Sequence, residues 1–194
     1  IFFIFIFFSK TALCLEDINN IKIIENYLNS VNTISSEFIQ TSADGEILKG
    51  KFLLKKPGKM FFEYDKPSNI VIVSNNNVIT IFNKLFPKSQ QKYPLSLTPL
   101  NNLTKKINFF EKNILKNELL FSKNILKIVL FDHQNPKNGE LELTFSKNPI
   151  ELKGWKYTTF SKEQIEIKFI NFEKNIFISD ENFDYDLLIS RLKK

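Results

Sequence analysis

His133 is the only histidine in the chain, and it stands in the turn sequence Asp132-His133-Gln134-Asn135-Pro136. To activate a nucleophile it would need a serine or cysteine brought to it from elsewhere, and no G-x-S-x-G elbow exists to offer one. Cys14 is the only cysteine, so neither an internal disulfide nor a Cys/His metal spacing is available. Glu140 and Glu142 share one face of an alternating pattern, whereas glycosidase carboxylates flank a cleft from different strands. Asp180, Glu181, Asp184 and Asp186 cluster near the C-terminus and could hold Ca²⁺ weakly, although a solvated cap accounts for them more simply. No glycine-rich phosphate loop occurs. Residues able to do chemistry are scattered, and the expectation is a protein that is not an enzyme, with no catalytic residue, cofactor or metal.

What the sequence has in excess is apolar surface. Of 194 residues 21 are Phe, and hydrophobic residues reach 43% against 25% charged, which is the composition of a folded chain. Such an excess fits either an unusually rich core or an apolar surface kept for a ligand, and a codon bias toward A and T explains part of it. Net charge is +6, carried by lysine, since Arg191 is the only arginine. Lysines alternate with apolar residues, as in Lys49-Gly50-Lys51-Phe52. Dense basic runs are missing, so solvated strand faces are expected and nucleic acid is not an expected partner.

Apolar residues at Ile21, Ile24, Leu28 and Val31 fall on one helical face, with Asn19 or Asn20 as the expected cap. A long β region follows. Its runs are 36–41, 48–55, 60–65, 70–73 and 78–82, punctuated by Asp44-Gly45, Lys56-Pro57-Gly58-Lys59 and Ser74-Asn75-Asn76-Asn77. The runs at 70–73 and 78–82 are apolar on both faces, so something must cover each side. Thr98-Pro99 reads as a cap and first helical residue, and Leu100, Leu103, Ile107 and Phe110 make one stripe of a helix over 99–111. Strands return at 118–121, 125–131, 140–145, 151–160 and 164–170. The order is helix, six strands (the five runs above and one more without bounds of its own), helix, five strands. With short turns throughout, it implies a mainly β, α+β fold built on a large, curved antiparallel sheet.

Residues 1–8 are an unbroken apolar run, too short for a bilayer span of about 20 residues. It matches the apolar region of a secretory signal peptide, with Ala12 and Cys14 at the −3 and −1 positions. Residues 1–14 are therefore expected to be a signal peptide lacking its initiator end. Residues 15–194 are expected to form a single domain acting in the periplasm.

Phe38-Ile39-Gln40-Thr41, then Gly50 to Tyr64 with Lys56-Pro57-Gly58 at its centre, then Pro67 and Ile72-Val73-Ser74-Asn75-Asn76, resemble the LolA family of lipoprotein carriers. Tyr93-Pro94-Leu95, Thr98-Pro99-Leu100, Gly154-Trp155-Lys156 and 180–183 extend the resemblance from Ile24 to about Tyr185. It implies an incomplete antiparallel barrel of about 11 strands, with a lid of two or three helices over an apolar cavity. It also implies a monomeric periplasmic chaperone that takes acylated lipoproteins from an inner-membrane ABC transporter and hands them to an outer-membrane receptor lipoprotein. By position, the family's lid-closing arginine falls on Lys56, its next apolar residue on Met60 and its tryptophan on Phe62. Lysine lacks the planar fork of arginine, which weakens a latch there. Phe52, Leu54, Met60, Phe62, Ile72 and Phe82 are the expected acyl-chain contacts, and Leu100, Leu103 and Ile107 join Lys56 on the lid. An alternative on the same fold is a lipid-anchored receptor of the LolB kind, tethered through Cys14.

Overall fold

The computed structural model describes residues 15–112 and 120–192. The expected leader, Cys14 included, lies outside these residues. The first element is helix α1, Leu15–Ser30. Asn19 and Asn20 do not cap it. The helix starts upstream of both, and Asn20 is buried within it.

Six strands follow: β1 (Thr33–Ser42), β2 (Ile47–Lys55), β3 (Lys59–Tyr64), β4 (Ile70–Asn75), β5 (Val78–Asn83) and β6 (Phe86–Pro94). After the segment 95–112 come β7 (Leu120–Phe121), β8 (Ile125–Phe131), β9 (Glu140–Lys147), β10 (Ile150–Thr158) and β11 (Gln164–Lys174). All eleven form one antiparallel sheet in the order β6-β5-β4-β3-β2-β1-β11-β10-β9-β8-β7. It is a meander joined through the β1–β11 ladder, with β6 and β7 at its two edges among the described residues, which agrees with the expected unclosed barrel. Asn76 takes a positive φ of 61° at the β4–β5 turn, and Gly45 one of 85° after β1, as the turn sequences require.

Register sorts the apolar residues into two layers. Phe52, Phe62, Ile72 and Ile81 stand opposite one another on successive strands, and Leu54, Met60, Ser74 and Ile79 form the next row. These belong to the inner core, together with α1 and the inward residues of β8 to β11. Phe38 stands across the ladder from Gly50, whose missing side chain leaves room for the ring and for the Glu63 carbonyl. The opposite parity, Phe61, Val71, Val73 and Phe82, forms a separate outer cluster with Ile178, Phe183 and Ile189. The last three belong to the chain's end, which holds a 3-10 turn at Asp180–Phe183 and helix α3, Tyr185–Leu192. The doubly apolar strands are thus covered on both sides.

One expected element is broken. In place of a helix over 99–111 there is a 3-10 turn at Pro99–Thr104, extended chain, and a single helical turn α2, Phe109–Lys112. Asn101, Asn102 and Thr104 favour local side-chain bonds over helix, and Thr104 Oγ1 donates to the Asn101 carbonyl. The Ile107 backbone is claimed on both sides by the Asn29 side chain. Thr98 precedes Pro99 in extended geometry, but its hydroxyl donates backward to Leu95 O and does not cap.

Candidate functional site

The inner face is filled at one end and hollow at the other. Under α1 the space between Leu28, Val31, Ile34, Leu54, Leu103 and Leu152 is closed. Beyond it lies a cavity of about 340 Å³. Met60, Phe62, Ile72, Ile79 and Ile81 form one wall, and Trp155, Ile165 and Ile167 the facing wall. Thr98, Pro99 and Leu100 lie over it. Its size is at the small end of the ~300–1,000 Å³ typical of ligand sites.

Among the described residues no charged side chain lines the cavity, and its hydroxyls and amide are engaged with one another or with neighbouring groups outside the lining. Tyr64 Oη donates to Gln40 Oε1 at 2.7 Å, and Gln40 Nε2 donates to Ser42 Oγ at 3.4 Å. Ser74 Oγ donates to Gly58 O at 2.9 Å, Thr98 Oγ1 to Leu95 O at 3.0 Å, and Tyr157 Oη to Asn138 O at 3.3 Å. Burial pushes the Tyr64 phenol up to about 12, so it stays a neutral donor. A wall whose hydroxyls and amide are already paired offers a ligand apolar contact and little else.

The expected contacts divide between these regions. Met60, Phe62 and Ile72 line the hollow. Phe52 packs behind them, 4.7 Å between ring centroids from Phe62 and 5.4 Å from Trp155, and Leu54 belongs to the filled end. Phe82 is on the other side of the sheet, 5.3 Å from the Tyr185 ring in the outer cluster, and is removed from the site. The run Val78-Ile79-Thr80-Ile81-Phe82 is apolar in both parities, so its sequence could not say which side faces in. The ladder does: Ile79 and Ile81 take the place expected of Phe82. Of the lid residues, Leu100 covers the hollow, whereas Leu103 and Ile107 are buried in the inner core.

Lys56 reaches across to α1. Its Nζ donates to Leu28 O at 2.7 Å, at the C-terminal end of α1 where carbonyls lack helical partners. Burial lowers the amine to about 8. Three further ties were not foreseen from the sequence. Asn29 bonds both the N–H and the carbonyl of Ile107 at 2.8 Å, Glu25 accepts from Phe109 N at 2.7 Å, and Tyr27 Oη accepts from Leu152 N at 3.1 Å. Glu25 and Asn29 are four residues apart and so lie on one helix face, the only local hint. Together they fasten α1 to Ile107 and Phe109, downstream of the residues that cover the cavity. In the acidic cluster, Asp180 binds Lys55 at 2.7 Å and Lys59 at 3.0 Å. Hydrogen bonds from Lys55 and then Lys59 hold its carboxyl below the ordinary range, and these contacts join the C-terminal segment to the β2–β3 hairpin.

Residues 29–186 match the family model described as outer membrane lipoprotein carrier protein LolA. An uncharacterized protein of Rickettsia prowazekii (strain Madrid E) is 27% identical over 150 residues, covering 74% of this chain and 69% of that protein. Among solved structures, an uncharacterized conserved protein from Thermus thermophilus is similar with a TM-score of 0.51 and 10% identity, covering 85% of this chain and 92% of that one. A LolA superfamily protein from Nitrosomonas europaea is similar with a TM-score of 0.44 and 11% identity, covering 85% of this chain and 97% of that one. At such identities the likeness to solved structures is one of fold.

Proposed function

This chain belongs to the LolA family of outer membrane lipoprotein carrier proteins, and from that premise we propose that it is a periplasmic chaperone for the acyl chains of lipoproteins. In this reading it receives them from an inner-membrane lipoprotein-releasing ABC transporter and passes them to an outer-membrane receptor lipoprotein. The observation that supports it best is the hollow itself, an apolar space of about 340 Å³ whose hydroxyls and amide are already hydrogen-bonded to one another or to neighbouring backbone.

The energetics suit the task. Each buried CH₂ gains roughly 0.8 kcal/mol, so a ~16-carbon chain gains on the order of 12 kcal/mol on leaving water. Free acyl chains therefore do not cross an aqueous compartment. A carrier needs apolar wall and a means of opening, and no bond is made or broken. A ~150 Å³ apolar cavity holds a benzene ring, so by proportion this hollow takes one chain of about a dozen carbons or somewhat more. Further chains need the cover at 98–100 to lift. The bonds that flank this segment, Leu95 N–H to Asn77 O, Asn138 Nδ2 to Ser96 O and Gly58 N–H to Thr104 O, are contacts that would part, so their strength bears on the balance between closed and loaded forms.

Ile72→Asp tests the proposal. This side chain is half-buried in the wall, so a carboxylate there charges the hollow while leaving the inner core intact. Uptake of a fluorescent acylated peptide should be lost with an unchanged circular dichroism spectrum. Wild-type uptake by this variant would refute the assignment.

A further inference from the structure

Charge is unevenly placed along the chain. From Lys66 to Phe110 stand six lysines, Lys66, Lys84, Lys88, Lys92, Lys105 and Lys106, and no acidic residue. Those six equal the whole net charge of +6, and basic and acidic residues balance everywhere else. The stretch holds β4, β5, β6 and the residues that cover the hollow. Lys84 pairs with Glu63 at 2.9 Å, and among the described residues none of the other five has an ion pair.

Lys88 and Lys92 stand on β6, a margin strand whose outer edge is open. Its ladder with β5 is regular from Pro94 back to Gln90 and irregular from there to Phe86. The chain is tied on either side of this segment, where Tyr185 Oη donates to Pro87 O at 2.8 Å and Asn138 Nδ2 to Ser96 O at 3.3 Å. Between those ties the backbone of residues 88–93 has no hydrogen bond among the described residues beyond its ladder with β5. Successive residues of a strand turn their N–H and C=O groups to opposite sides, so the far side of this segment holds a row of unpaired groups. At the other margin β7 is only two residues long.

The chemistry of the edge selects its occupant. A bilayer has no strand to pair with these groups, and sheet edges are not left open in hydrocarbon. A second copy of β6 laid antiparallel would set Lys88 and Lys92 against their own equivalents, and like charges across a ladder repel. An extended chain bearing carboxylates meets both demands, since its backbone pairs with the edge and its side chains answer the lysines. Within this chain Asp184 and Asp186 flank Tyr185 but form no ion pair with either lysine, and Lys92 Nζ rests 5.8 Å from the Tyr185 ring centroid.

We infer that β6 is a docking edge for an acidic, extended segment of a partner protein, which joins the sheet as a further strand along Gln90–Tyr93 with its carboxylates beside Lys88 and Lys92. Pro94 leads from β6 into Leu95, whose N–H is held by Asn77 O at 2.8 Å, and then into the cover at 98–100. A partner docked there sits next to the residues that must move for a chain to enter or leave. That consequence rests on the acyl-carrying reading, in which cargo passes between proteins, whereas the docking edge itself does not.

The test uses the whole protein and synthetic peptides of alternating Glu and Val, of alternating Lys and Val, and of alternating Glu and Pro. The Glu–Val peptide should slow hydrogen exchange at β6 amides and leave those of β9 unchanged, with binding weakened about tenfold or more by high salt. The Glu–Pro peptide keeps the charge but has half its backbone donors removed, and should bind about tenfold more weakly or worse. Lys88→Glu combined with Lys92→Glu should reject the Glu–Val peptide and accept the Lys–Val one, with uptake of the fluorescent acylated peptide unchanged, since neither lysine lines the hollow. No slowing at β6 with the Glu–Val peptide, equal binding of all the peptides, or Glu–Val binding that survives the charge reversal would overturn the inference. Failure of the wild-type protein to take up acyl chains would instead sink the carrier reading and leave the peptide results to decide the edge.

Discussion

Lys56 holds the end of α1 through one amine-to-carbonyl bond, and its titration predicts how the protein responds to alkali. The folded amine loses its proton near pH 8, while an unfolded lysine keeps it to about its ordinary 10.5. Between those values the unfolded chain binds more protons, so this group makes folding more favourable as pH rises from about 8 to 10.5. Below pH 8 the buried charge opposes folding, partly offset by its bond to Leu28 O. In Lys56→Met the pH-dependent contribution should vanish, which thermal melts across this window would show. The same substitution should speed ligand exchange, because the freed α1 terminus no longer pins the filled end. Single residues were legible in the sequence where only position mattered. Met60, Phe62, Ile72 and Leu100 line or cover the hollow. Residues defined by a distant partner, such as Asn29 and Glu25, left no local pattern to read.

Periodicity reveals an element when one side faces water and the other the core. β9 shows this, with Leu141, Leu143 and Phe145 buried and Glu140, Glu142 and Thr144 half-buried opposite them. β6 does not: it is largely exposed, with Pro near both ends of Phe86–Pro94 and no apolar alternation, so its range could not be drawn from sequence. The broken helix at 99–111 failed for a different reason. Its apolar spacing suits a helix, but the Ile107 peptide is bonded to a side chain 78 residues away. Removing that side chain tests the account. Asn29→Ala should destabilise the protein by about 1–3 kcal/mol, since two buried backbone groups lose their partners. Hydrogen exchange at the Ile107 amide should rise more than at the β1–β2 ladder. Equal change at both sites would mean that the bond is not what orders the cover.

The molecule has two apolar clusters separated by one sheet, and they can be perturbed independently. Phe183 is 1% exposed in the outer cluster and does not border the hollow. Phe183→Ala should cost about 3–5 kcal/mol of stability, measured by urea unfolding, without altering acyl affinity. A matching loss of affinity would show the clusters to be coupled through the sheet. That the fold is an unclosed meander has a mechanical consequence. A closed barrel has its bore dictated by strand number and stagger, and widening it means tearing a seam. With β6 and β7 as the two margins among the described residues, the sheet can flex like a partly rolled page, its curvature changing while every ladder from one margin to the other stays whole.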